Sequence, residues 1–405
     1  MKGEEAEKYY FFENFKTTLK CRILKNQTIK AANGKSMKAL KVFTEVLQCL
    51  KDDALKAIMP HATGGKVTAS DFIWVLTVPA LWGNPAKQFM REAATQAGII
   101  TDGTKGKLLF ALESEAALAW CLKLPSDGFI TQNQRDSGSI TVQSSAPRES
   151  NISSKDPPVS HLVEDTVLKG EETRDLLKKQ HKNGNCYVVV DCGDETIDIT
   201  VYKVLEGGAW KKMYEAPENH VGGQSVDRKM KQFLREIFSD GVWDEYEQKF
   251  PSEVQIIMYE FTHLKQVNED VSIMCPNNLG MLAQKKKEIQ LFFDAVEGAS
   301  WEEGYINITR DKLRYFFDDY LYRTTESLRE ILRKEFKFGF ILLVGGFAGS
   351  QILIQHITDS FGHQCKVSCP HRPQEAIMKG AVELGRNPKL MASQKKYPAC
   401  LKDFL

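Results

Sequence analysis

The sequence lacks the features that most directly settle a protein's class. It has no run of about 18 apolar residues, so it offers no membrane-spanning helix. Its start, MKGEEAEKYYFFENF, is acidic and has no uninterrupted apolar core, which argues against a secretory signal. Charge of one sign is missing as well. The 54 Lys and Arg nearly cancel the 53 Asp and Glu, so no bulk field draws the chain to nucleic acid or acidic lipid, and neither is expected as a partner. Nine cysteines are scattered through 405 residues, odd in number and too sparse for a disulfide framework. A reducing, cytoplasmic location is therefore expected, and the N-x-S/T sequons at Asn26, Asn151 and Asn307 carry little weight. What remains is a chain 42% apolar and 26% charged, long enough for two or three domains with cores of their own.

Hydrophobic period organises the first third. Leu40, Phe43, Leu47, Leu50, Ala54 and Ile58 recur at three- and four-residue steps, predicting a helix over Ser36–Met59. The run Phe72–Pro79 is too short for a helix and rich in β-formers, as a strand covered on both faces is. Asn84 and Pro85 then open a helix that Gly98 stops. Lys107–Ser114 reads as a strand leading into a small-residue helix, Glu115–Leu122. This alternation indicates an α/β layer architecture. From 125 to 185 the chain turns to Ser, Asp, Gln, Lys and Glu with one aromatic, Phe129, and is expected to be a disordered insertion, a short helix at Val163–Lys179 aside. After it come two strands joined by a turn around Gly193, then helices near Val226–Ile237, Val254–Val267 and Asp311–Phe336. A buried strand, FILLVGG, opens through glycines into the helix of Ile352–Phe361, and a last helix runs from Pro373 to Gly385.

Three glycine-bearing turns sit at strand ends, where backbone N–H groups can bind phosphate. They are Cys192–Thr196, Gly222-Gly223 and Gly345-Gly346. Singly, each is more often just a tight turn. Their order carries more: D-x-G-x-x-T-x-D from Asp191, V-G-G-x-x-x-D from Val221, L-V-G-G-F from Leu343, then K-G-A at Lys379. With TVPALWGNPAKQFMREAATQAG, FALESEAALAW and IMKGAVELG, this series resembles the nucleotide-binding domain of the 70 kDa heat-shock protein family, most of all its divergent heat shock 70 kDa protein 12 branch. The resemblance runs from about Tyr9 to Pro388, the polar insertion excepted.

That resemblance implies an actin-like ATPase fold: two lobes on ribonuclease-H-like sheets, with ATP or ADP and Mg²⁺ in the cleft between them. It divides the chain into a remnant of the first lobe's outer subdomain (1–35), a first-lobe α/β subdomain (36–124), the insertion (125–185), a second lobe (186–372, its outer subdomain near 226–310), a helix returning to the first lobe (373–390) and a tail (391–405). Glu113 falls where the family has a carboxylate near the attacking water, and Asp191 and Asp198 match the carboxylates that hold Mg²⁺ through water. Thr196 matches the hydroxyl near the terminal phosphate. Gly193, Gly222 and Gly223 match phosphate-facing turns. Glu260, Gly345 and Gly346 match positions around adenosine, and Lys379, Gly380 and Ala381 the helix between the lobes.

Two departures set the functional expectation. The family's hairpin turn is D-x-G-G-G-T, whereas Asp194 and Glu195 stand here in place of two glycines. A like-charge pair about 4 Å apart costs roughly 4 kcal/mol at an effective dielectric of 20, on the order of a thousandfold in affinity. Second, the family's opening phosphate hairpin, Asp-x-Gly-Thr-Thr, has no counterpart before Tyr9, so the fold is expected to be N-terminally incomplete. No peptide-binding domain of the family's usual type is expected after Pro388. The function expected is a nucleotide-binding, chaperone-like or regulatory protein with weak or absent ATPase activity. The alternative is an interaction scaffold that binds no nucleotide.

Other clusters read as structure. Asp191, Asp194, Glu195 and Asp198 could form a cation site of their own, but no Ca²⁺-loop spacing appears and a solvated acidic turn is preferred. His363, Cys365, Cys369 and His371 depart from structural zinc spacing, and CKVSC reads as a strand with a small buried stripe. Cys192 has no base near it in sequence, and Lys285–Lys287 reads as a solvated loop. The aromatic start, Tyr9–Phe15, is expected to pack rather than recruit.

Overall fold

Two strands too apolar to face water, one in each lobe, anchor the layers built around them. The computed structural model describes residues 10–12, 15–16, 27–61, 67–130, 185–205, 209–217 and 219–391. The insertion expected over 125–185 lies, but for its two ends, outside those residues, as does the short helix at 163–179. Strands β1 (Thr28–Lys30) and β2 (Ser36–Lys38) pair antiparallel, and this pairing takes the first three residues expected of the helix. Helix α1 therefore runs from Ala39 to Ile58. It buries Val42, Phe43 and Leu47 but leaves Leu50 and Ile58 exposed, so the predicted apolar face holds only through its first half. Phe43 meets Phe15 and Phe89 edge to face, which anchors part of the aromatic start, while Tyr10 and Phe11 are exposed.

Strands β3 (Trp74–Val78) and β4 (Leu108–Leu112) are parallel and joined through α2 (Asn84–Gln96), as parallel pairing requires a crossover. Pro85 lies in the first turn of α2, and Gly98, at φ 70°, turns the chain out of it. Helix α3 (Glu113–Cys121) starts two residues earlier than the sequence suggested, which makes Glu113 its first residue.

The second lobe is a five-stranded sheet in the order β12-β11-β5-β6-β7. Its strands are β5 (Cys186–Cys192), β6 (Ile197–Val204), β7 (Trp210–Glu215), β11 (Phe338–Val344) and β12 (Lys366–Ser368). All seven residues of β5 are buried, as expected of a central strand covered on both faces. On one face lie α4 (Gln224–Ile237), α5 (Val242–Lys249) and α6 (Pro251–Leu264), sharing a core with the sheet. The outer part holds a three-stranded antiparallel sheet, β8 (Val271–Met274), β10 (Tyr305–Ile308) and β9 (Ala299–Glu302), whose strands of four residues gave no clear period in the sequence. Short helices α7 (Asn277–Gln284) and α8 (Gln290–Phe293) complete it. The helix expected over Asp311–Phe336 is two, α9 (Arg310–Tyr315) and α10 (Asp318–Leu332), and α11 (Gln351–Phe361) follows β11.

Helix α12 (Ala376–Arg386) returns to lie on α3. Ala116, Ala117 and Ala119 of α3 and Ala376, Ala381 and Leu384 of α12 share a core with Tyr187 and Val189 of β5 and Leu342 and Val344 of β11. Small side chains let the two backbones meet: a Cβ on Gly380 would overlap the carbonyl oxygen of Ala116. Lys123 and Glu383 form an ion pair beside this crossing.

Gly380→Ala should therefore cost about 3 kcal/mol or more, because backbone rather than a flexible side chain must yield. Gly280→Ala, in α7 with only Ile289 Cδ1 at 3.9 Å, should instead stabilise by about 0.5–1 kcal/mol through helix propensity. Urea unfolding of both variants checks the pair of signs.

Candidate functional site

The cleft forms where β5, β6, β11, α3 and α12 reach the same end of the two lobes. Antiparallel pairing puts Asp191 of β5 directly opposite Asp198 of β6, with residues 193–196 as the turn between the strands. The turn is four residues long, and Gly193 donates its N–H to the Thr196 carbonyl at 3.0 Å. The helix start at residue 113 brings Glu113 to the same place, and Gly345-Gly346 ends β11 beside it. Gly345 has φ 96°, and a Cβ there would overlap Asp191 Oδ1, so only glycine fits this turn. Phe347 then anchors the turn from below, fully buried, stacked on Phe317 at 5.4 Å and edge-on to Tyr320 at 4.8 Å.

A cavity of about 470 Å³ results. Glu113, Asp191, Gly193, Thr196, Asp198, Gly345 and Gly346, all expected in the site, line it together. Asp194 and Glu195 line it too. Three expected residues do not. Gly222 and Gly223 pack on the hairpin turn: Gly223 donates to the Gly193 carbonyl at 3.0 Å and Gln224 to the Asp194 carbonyl at 2.8 Å. Those two N–H groups, at the start of α4, thus serve the chain itself, and Gln224 lines the cavity in their place. Glu260 sits on α6 away from the cavity lining, half-buried, and burial raises its carboxyl above the ordinary range.

The apolar part of the lining was not legible in the sequence as part of a site. Phe15, Pro79, Leu81, Trp82 and Ile377 give it an apolar surface, with Gln374 at its edge. Lys16 crosses to the acidic side, and its ammonium donates to Glu113 Oε1 at 2.6 Å. These residues come from three separate segments, and nothing in a lysine within FENFK marks it as part of a cleft.

Charge dominates the chemistry. Asp191 is 8% exposed, and its carboxyl is held well above the usual range by burial first, then by Glu113 and Asp198; Lys16 opposes the shift. Burial would lower the Lys16 ammonium, but Glu113, Asp191 and Asp198 outweigh it and raise it. Among the described residues no group of three or more His, Cys, Asp or Glu is arranged to hold a metal ion directly.

The remaining clusters fall apart in space. Cys365 and Cys369 are buried, His363 contacts Gln364, and His371 meets the Asp127 carbonyl at 2.8 Å. Cys192 is buried, with its thiol pushed up to about 12 by desolvation, so it is no thiolate nucleophile. Lys287 pairs with Asp240 and covers Phe292.

The family model for Hsp70 protein matches residues 176–386. The chain is 32% identical over 408 residues to human Heat shock 70 kDa protein 12A, across 96% of this chain and 59% of that protein. The mouse Heat shock 70 kDa protein 12A matches at 31% over the same shares. Human Heat shock 70 kDa protein 12B is 28% identical over 403 residues, 95% of this chain and 58% of the relative. The chain thus spans about three fifths of the length of the curated relatives it matches.

Asp191 has a stability consequence. With its native pKa raised above the unfolded value, the folded protein holds the proton more tightly, so stability is lost as pH rises from about 4 through the raised value. Asp191→Asn should therefore raise Tm at pH 7.5. That gain should shrink towards zero below about pH 4, where aspartate is neutral in both states. Thermal melts of both proteins across pH 3.5–8 check the sign; a lower Tm for the variant at pH 7.5 contradicts it.

Proposed function

This chain belongs to the 70 kDa heat-shock protein family, with its actin-like ATPase fold, and we propose that it is a nucleotide-binding member that takes up ATP or ADP weakly and turns ATP over slowly or not at all. The observation that carries this is the position of Asp194 and Glu195. Both line the cavity, beside Asp191 and Asp198, where a polyphosphate would have to lie. Glu113, Asp191, Thr196 and Asp198 are the residues that would act on a bound nucleotide. Gly193, Gly345 and Gly346 are those that would face its phosphates and adenosine. Asp191 and Asp198 would hold Mg²⁺ through water, and the ion would supply counter-charge to the phosphates.

A second reading, a scaffold that binds no nucleotide, draws on Gly223 and Gln224. Their N–H groups already serve the hairpin carbonyls, so this turn offers a phosphate fewer donors. In either case we propose a chaperone-like or regulatory role. The seven cysteines among the described residues are free thiols, which supports a cytoplasmic setting. Among the described residues no helix is long and apolar enough to cross a membrane.

Melting the protein with millimolar MgATP, MgADP or adenosine separates the two readings. A ligand at 100 times its Kd adds about 2.7 kcal/mol. Under the first reading adenosine and MgADP raise Tm more than MgATP does, because each added phosphate meets the acidic turn. No shift with any of the three leaves the scaffold. Asp194→Gly with Glu195→Gly should then tighten MgATP about 10- to 100-fold, a range below the low-dielectric limit because Asp194 is exposed. Unchanged affinity in that double variant would clear the two acids of blame.

A further inference from the structure

The two lobes repeat one unit. In the first, β3 and β4 pair parallel, with α2 between them and α3 after; in the second, β11 and β12 pair parallel, with α11 between them and α12 after. The two closing helices, α3 and α12, are the pair that meet at Ala116 and Gly380. The units differ at one edge. β11 has β12 on one side and β5 on the other, whereas β3 has β4 on one side and, among the described residues, no strand on the other. Trp74–Val78 carries no charged residue and no proline, and its register with β4 is unbroken from Trp74↔Leu108 to Val78↔Leu112. Strands that end a sheet are ordinarily guarded by charge, proline or a bulge, and β3 has none of these. Both of its faces are packed, Trp74 and Leu76 against the first-lobe core and Val75 against the core shared with α12. Yet Trp74, Val75, Leu76 and Thr77 stay half-buried, while Ile341–Val344, where β5 covers β11, are buried. The exposure therefore enters through the edge, where the strand's unpaired N–H and C=O groups lie.

We propose that the free edge of β3 is a docking site for an extended apolar strand of another polypeptide, which pairs parallel to it as β5 pairs to β11. The second lobe specifies that occupant. Tyr187–Asp191 lie opposite Phe340–Val344, a tyrosine and three valines ahead of the aspartate. Trp74–Val78 offers the same length of five residues. Tyr187 and Val189 of β5 enter the core formed with α3 and α12, and that core reaches β3 at Val75. A strand added to β3 thus continues an interface the protein already has. Main-chain hydrogen bonds supply its affinity, and β-branched or aromatic side chains on the core side supply its specificity. Pairing of this kind needs no nucleotide, so it stands or falls apart from the reading given above.

The test is a dye-labelled peptide copying Tyr187–Thr196, with Cys192→Ser and two lysines added ahead of it for solubility, titrated into the full chain without nucleotide. It should bind with Kd of about 100 μM or tighter, and amide hydrogen exchange over Trp74–Val78 should slow at least about tenfold. A pair of N-methylated peptides reads the pairing itself, since a strand added at an edge turns alternate N–H groups towards it. Methyls on one alternate set of residues should abolish binding, and methyls on the other set should leave it within about twofold. Thr77→Lys, which puts a charge beside the edge, should weaken the peptide at least about tenfold while the variant melts like the parent. No binding, equal loss with both methylated peptides, or protection that falls outside β3 overturns the proposal. So does a dimer of the chain alone in sedimentation, with its β3 amides already protected, because a second copy would then hold the edge.

Discussion

The contact on which the rest of the structure depends is the seat of one helix backbone on another, Gly380 of α12 against Ala116 of α3. Both helices start at the cleft. Glu113 is the first residue of α3, and Gln374 and Ile377 flank the start of α12. How closely the helices approach therefore fixes how far the acidic strand ends lie from the apolar wall. Alanines at Ala116, Ala117, Ala119, Ala376 and Ala381 keep that approach short, and any larger side chain would wedge the lobes apart. The same seat ties β5 and β11 of the second lobe to the first, through the core shared by Tyr187, Val189, Leu342 and Val344.

Held at that distance, the cleft concentrates charge the fold does not need. Asp191 faces Asp198 across a strand pair, an arrangement that costs stability when both ionise. Burial of Asp191 adds to the cost, and Lys16 offsets part of it. Residues that destabilise a native state and still converge on one cavity are more characteristic of a binding site than of a structural core. Phe347 serves the opposite purpose. Stacked on Phe317 and edge-on to Tyr320, with Lys265 over its ring, it stiffens the Gly345-Gly346 turn that bounds the acids.

Much of the second lobe was legible in sequence because its elements are long, apolar and punctuated by glycine. Cys186–Cys192 and Phe338–Val344 read as buried strands, and the helix of Ile352–Phe361 followed from its period. The outer sheet of β8, β9 and β10 is not legible in the sequence, since four-residue strands give too few repeats to show a period. Helix α1 was overextended at its start because Ser36–Lys38 pairs with a strand eight residues upstream, a tertiary choice that overrides helical spacing. Glu260 falls near an adenosine-contacting position only by the family resemblance, and α6 carries it clear of the cavity lining.

By itself the sequence determined the family, the ordered glycine turns and the replacement of two of their glycines by Asp194 and Glu195, because each is a matter of residue type at fixed local spacing. Only the tertiary structure decided which of those turns face the cleft. Gly345-Gly346 does, while Gly222-Gly223 packs on the neighbouring hairpin, to which Gly223 and Gln224 donate their N–H groups. It also decided that Lys16, remote from every motif, and Trp82, inside one but with no role assigned to it, complete the lining. The physical reason is common to all of these. A turn's shape is set by the φ and ψ of four residues, but what its hydrogen-bonding groups meet is set by whichever distant segment the two lobes press against it.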